Sequence, residues 1–138
     1  MDIETFREYC LQMTAVTEDF PFGPDTLVFK VADKMFALCG LNSPAFSVNL
    51  KCDPERIIDL REEYDDIQPG YHMNKNHWNT VNFEGKLPEK FLKELIQHSY
   101  EQVVKGLPKK KEKNFHYKYS KCLYRKTTKK LYNPYPQM

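Results

Sequence analysis

Ile3, Phe6, Tyr9, Cys10 and Met13 recur at the three- and four-residue spacing of an amphipathic helix, and Asp2 stands where a carboxylate accepts from the free amides of a first turn. This helix ends by about Ala15, because the segment from Glu18 to Asp25 holds two prolines and a glycine and predicts no regular element. From Leu27 the period becomes two. Leu27, Phe29 and Val31 share one face and Val28 and Lys30 the other, as in a half-buried strand. Val31 to Lys34 predicts a turn, Met35 to Leu41 a second strand, and Asn42-Ser43-Pro44 another turn. In the next run Phe46, Val48 and Leu50 alternate with Ser47, Asn49 and Lys51, which predicts one buried and one solvated sheet face.

Asp53-Pro54-Glu55 opens a second helix: Asp caps, Pro has no amide to leave unpaired, and Glu suits the positive end of the helix dipole. It runs to about Tyr64, with Ile57, Ile58, Leu60 and Tyr64 as its apolar stripe. After Asp65-Asp66 the chain reads as an irregular loop as far as Trp78, where the aromatic and β-branched content of Trp78 to Phe83 predicts a further strand. Leu87-Pro88-Glu89 begins the longest helix, whose stripe runs from Phe91 through Leu95 and Tyr100 to Val104 and stops at Gly106. The expected fold is α+β in two layers, an antiparallel meander sheet covered on one face by helices, over residues 1–107. Residues 108–138 lose all periodicity and read as a tail.

Charge sharpens this division. The whole chain has 138 residues and a net charge of +2, room for one domain. Residues 1–106 hold 11 basic and 18 acidic side chains, net −7, whereas residues 107–138 hold 10 and one, net +9. A basic block of this kind is either an arm for an anionic polymer or surface, or a solvated end. No run approaches the ~18 apolar residues of a membrane span, and the N-terminus lacks a basic segment followed by an apolar one. The expectation is a cytoplasmic protein with no membrane contact. Cys10, Cys39, Cys52 and Cys122 form no C-x-x-C pair, so idle thiols are expected in place of a zinc or redox site. A nucleophile elbow, a phosphate loop, a dinucleotide fingerprint and H-E-x-x-H are all absent, so a non-enzymatic protein without a cofactor is expected.

The strings TEDFPFGPDTLVFKV, KMFAL, SVNLKCDPE and PGYHMNKNHWNTV, in that order and spacing, resemble the MmcQ/YjbR family over roughly Met1 to Lys110. The most specific piece is Tyr71 to Trp78, since strand patterns recur by chance and this polar and aromatic string does not. The resemblance implies a frataxin-like fold and DNA binding through a double wing of β-hairpins.

DNA binding needs cations at phosphates and, for single strands, aromatic faces for bases. The candidates within the domain are Lys51, His72, Lys75, Asn76, His77 and Trp78, and those in the tail are Lys109, Lys110, Lys111 and Lys113. Each has a plainer role. Trp78 suits packing, the asparagines suit turn backbones, and His72 and His77, five residues apart, align on neither a helix nor a strand face. The body's charge of −7 opposes a polyanion unless its cations are segregated on one surface. The sequence therefore supports a DNA-binding protein with contacts mostly to phosphates and little sequence preference. The alternative is a protein-interaction module whose acidic face, Asp59, Glu62, Glu63, Asp65 and Asp66, meets a metal or a basic partner.

Overall fold

The computed structural model describes residues 1–108, and the expected tail, with Lys109, Lys110, Lys111 and Lys113, lies outside them. The described elements are α1 (Ile3–Gln12), β1 (Val16–Asp19), β2 (Thr26–Val31), β3 (Lys34–Gly40), β4 (Ser47–Lys51), α2 (Pro54–Glu63), β5 (Ile67–Pro69), β6 (Trp78–Asn82) and α3 (Glu89–Lys105). One antiparallel sheet has the order β1-β2-β3-β4-β6-β5. Strands β2, β3 and β4 form the expected meander, and β1 extends it by pairing antiparallel with β2. The chain then crosses through α2 to the far edge, and β6 returns between β4 and β5.

The helix boundaries follow from local chemistry. The Asp2 carboxylate accepts from the Thr5 amide at 2.8 Å, and Asp53 caps α2 by accepting from the Glu55 amide at 2.9 Å. Between β2 and β3 the turn residues Ala32 and Asp33 both have positive φ, at 49° and 66°, the backbone twist that a two-residue hairpin prefers.

All three helices pack on one face of the sheet. Phe6 of α1 makes edge-to-face contacts with Phe29, Phe46 and Phe83 at 5.3 to 5.5 Å, and Leu92, Ile96 and Tyr100 of α3 are fully buried with Phe36, Val48 and Ile57. Each such side chain contributes about 1.5–3 kcal/mol by leaving water. A bulge at Phe29/Lys30 breaks the β2–β3 register, and the β3–β4 ladder ends at Ala37 and Leu50. Ser99 of α3, fully buried, completes the bonding there: its hydroxyl donates to the Phe36 carbonyl and accepts from the Lys51 amide at 2.7 Å.

Three expectations need correction. Two strands, β1 and β5, lie in segments expected to be irregular. Both are edge strands with one buried side at most, so a single apolar residue each, Val16 and Ile67, is all the pattern they present. Ile58, placed in the buried stripe of α2, is half exposed, and Ile57 and Leu60 alone carry the buried face of the helix. Finally, the sheet face away from the helices is not simply solvated. Val28, Leu38 and Trp78 form a second small apolar cluster there, flanked by Met35 and Met73.

Candidate functional site

The sheet face opposite the helices is the only large surface that secondary structure leaves uncovered among the described residues. Alternation puts Thr26, Val28 and Lys30 of β2, Leu38 of β3, Ser47, Asn49 and Lys51 of β4, and Trp78, Thr80 and Asn82 of β6 on it. None is acidic. Asp19 at the β1 edge is the carboxylate that reaches this face, and it meets Lys30 Nζ at 3.5 Å. The carboxylates instead crowd the helix layer, with Glu4 and Glu8 on α1, Glu55, Asp59, Glu62 and Glu63 on α2, and Glu89, Glu94 and Glu101 on α3. Within a body of net charge −7, the strands thus present a face whose central positions are free of carboxylates.

Two loops from opposite ends of the sheet rise over this face and enclose a groove of about 500 Å³, within the range of small-ligand pockets. One loop carries Phe22, which is 64% exposed. It is held by a bond from the Gly23 amide to the Phe20 carbonyl, and Gly23 takes a φ of 110° that favours glycine. The other carries Tyr71, 70% exposed, and His72, whose rings lie against each other with centroids 4.0 Å apart and planes inclined by 53°. Its backbone is fastened to the floor of the groove. The Tyr71 amide donates to Thr80 Oγ1 at 2.9 Å, Thr80 donates in turn to Asn49 Oδ1, and Asn49 Nδ2 donates to the Tyr71 carbonyl at 3.5 Å. Thr26, Ser43 and Ser47 add hydroxyls to the lining.

The string from Tyr71 to Trp78 is built mainly from within. The Asn74 carbonyl accepts from the His77 and Trp78 amides, and its side-chain oxygen accepts from the Asn76 amide at 2.9 Å. Gly70 lies so close to β6 that an added Cβ would stand 2.8 Å from Trp78 Cβ. Arg61 of α2 reaches up to this loop from the helix layer. Its Nε donates to Asn79 Oδ1 at 2.6 Å, and Nη2 donates to the Trp78 carbonyl at 3.1 Å and to the Lys75 carbonyl.

The candidates from sequence divide accordingly. His72 stands at the groove, exposed and with a φ of 59°. Lys51 is on the same sheet face, half-buried beside Trp78 in the β4–β6 register. Lys75 donates its ammonium to the Gly70 carbonyl at 3.1 Å, which leaves two of its three donors for other partners. Asn76 and His77 are exposed on the outer part of the loop and do not line the groove, and the His77 carbonyl accepts from the Cys52 amide at 2.8 Å. Trp78 is packed away in the second apolar cluster, so its ring is not a platform. Phe22 and Tyr71, absent from the candidate set, are the exposed rings of the groove. Their signal was legible: aromatic residues inside Pro- and Gly-bearing turns have no core to enter.

Two other groups of interest are elsewhere. Cys10, Cys39 and Cys52 are buried free thiols, with burial pushing Cys39 and Cys52 up to about 11 and Cys10 well above its ordinary range. His98 of α3 accepts from the Asp53 amide at 3.1 Å, and burial, helped by the Arg56 guanidinium, holds it below the usual imidazole range.

A family model described as YjbR matches residues 11–102. The chain is 38% identical over 110 residues to protein YbdF of Escherichia coli O157:H7, covering 80% of this chain and 90% of YbdF. It is 33% identical over 113 residues to protein YjbR of Escherichia coli K12, covering 82% and 96%. Among solved structures, a Deinococcus radiodurans protein with a DUF419 domain superposes with a TM-score of 0.77 at 38% identity, covering 83% of this chain and 87% of that one. A Pseudomonas syringae protein superposes with a TM-score of 0.65 at 33% identity, covering 74% and 98%.

Proposed function

The chain belongs to the YjbR family, and from that premise and the geometry above we propose that it is a non-enzymatic DNA-binding protein that meets DNA with the uncovered face of its sheet. The observation that carries the proposal is the charge separation. The strands present Lys30 and Lys51 and no central carboxylate on that face, while the helices carry the acidic excess on the other. A polyanion approaching from the sheet side avoids most of the repulsion that the net charge of the body implies. The tail, with its charge of +9, continues from the end of α3 and supplies further cations for phosphates. Contacts of this kind fix position more than sequence, so little base-pair preference is expected.

The test is fluorescence anisotropy of the full chain with labelled DNA over a salt series, beside Lys51→Glu and a variant with Lys109, Lys110, Lys111 and Lys113 changed to Gln. On duplex DNA the slope of log affinity against log salt is about −0.9 per phosphate neutralised. Each variant should weaken binding and flatten that slope. Binding that is absent, or that ignores salt and both variants, overturns the proposal.

A further inference from the structure

We infer that the groove between Phe22 and Tyr71 seats unpaired nucleobases, which makes single-stranded nucleic acid the ligand of the uncovered sheet face. This rests on the DNA-binding proposal above and adds which part of the polymer enters. The groove is lined by neutral groups, and His72 is the one basic side chain among its lining residues. The lysines of the same face, Lys30 and Lys51, stand outside it. That distribution matches the anatomy of a nucleotide: the uncharged, flat base fits the interior, and the phosphates fall where the cations are. Exposed rings on two different loops offer stacking faces that are sequence-tolerant, because every base has a π-face. Hydroxyls of Thr26, Ser43 and Ser47 and the Asn49 amide supply donors and acceptors for base edges along the floor.

The backbone segments that carry the rings are also tied down before any ligand arrives. Tyr71 is tied to the floor through Thr80 and Asn49, its ring lies against that of His72, and Phe22 sits on a turn closed by the Phe20 carbonyl. A surface ordered in advance loses less conformational freedom on binding. A paired base offers no free face to such rings, so the duplex would be confined to the phosphate contacts outside the groove.

The experiment titrates the full chain with three probes of equal length: a thymidine oligonucleotide, an abasic strand of the same charge, and a duplex. The thymidine strand should bind about tenfold more tightly than the abasic strand, the size expected when one well-stacked base is lost. Tyr71→Ala and Phe22→Ala should each erase most of that preference, and Tyr71→Phe, which keeps the ring, should preserve it. Both positions are exposed, so the fold is not at stake in these variants. Equal affinity for thymidine and abasic strands, or a preference that survives Tyr71→Ala, overturns the base seat and leaves the phosphate-binding proposal standing. Failure to bind any of the three probes overturns both.

Discussion

Arg61 ties the helix layer to the loop that shapes the groove, and its removal is the most informative single change. Arg61→Met keeps most of the apolar stem and deletes the guanidinium, which donates to Asn79 Oδ1 and to the Lys75 and Trp78 carbonyls. A hydrogen bond from a charged donor contributes about 1.5–3 kcal/mol, and a buried acceptor left without a partner costs about 1–3 kcal/mol. Asn79 is only 2% exposed, so its amide oxygen is the acceptor that suffers; the carbonyls at Lys75 lie nearer water. Contacts shared by one group do not add, so the expected loss is about 2–4 kcal/mol. For a chain of this size that lowers the midpoint of thermal unfolding by roughly 10 °C. Arg61→Lys should recover little, because a single ammonium cannot reproduce the fork that bridges Asn79 and the loop. Urea unfolding of the two variants, of Asn79→Ala and of Arg61→Met with Asn79→Ala together gives the coupling directly, expected at about 1–2 kcal/mol. A loss under about 1 kcal/mol for Arg61→Met, or no coupling to Asn79, refutes the assignment of Arg61 as the brace of this loop.

Other expectations are equally open to measurement. His98 has a folded pKa below its unfolded value of about 6.5, so the unfolded chain binds the extra proton first as pH falls. Its contribution is complete above pH ~6.5 and is lost as pH drops from there toward the folded pKa; His98→Gln should flatten that part of a stability-against-pH curve, and an unchanged slope excludes His98 as its source. Ser99→Ala leaves the Lys51 amide and the Phe36 carbonyl unpaired at the bulge, and should cost about 2–3 kcal/mol in denaturant unfolding, with a loss under 1 kcal/mol counting against it. In a Cys122→Ser background, Cys10, Cys39 and Cys52 should resist iodoacetamide at pH 8 and react only after denaturant is added. Rapid native labelling followed by mass mapping to any of the three would contradict their burial.

What the sequence disclosed follows from how each element earns its place. Helices capped by Asp2 and Asp53 and the wide stripe of α3 were legible because side-chain chemistry and burial both write into local order. Strands β2, β3, β4 and β6 were legible because they bury a full face. Edge strands β1 and β5 were not, since half of their backbone bonding and most of their side chains face water. The insertion of β6 between β4 and β5 was beyond reach because strand order is a long-range matter that no local period records. The site divides in the same way. Lys51 and His72 were found by residue type, whereas the groove depends on two loops meeting over the sheet from elements about fifty residues apart in the chain. Arg61 lies outside the apolar stripe of α2, where local pattern records no partner, and its role emerges only with the carbonyls above it.

The strand order also sets a timetable for folding. β1 to β4 pair with their chain neighbours and can zip together as hairpins on the microsecond scale once synthesised. Their apolar face, however, is roofed chiefly by α3, the last described element, and the β4–β6 pair must wait for α2 and β5 to pass. At roughly 5–20 residues per second, the interval between completing β3 at Gly40 and completing α3 at Lys105 is about 3–13 s of translation. Through that interval Phe36, whose ring meets Tyr100 of α3, belongs to a hairpin surface without its cover, and Val48 joins it once β4 is made. A nascent chain halted before α3 is therefore the form in which this protein offers its stickiest surface, and ribosome-associated holdases would meet it there.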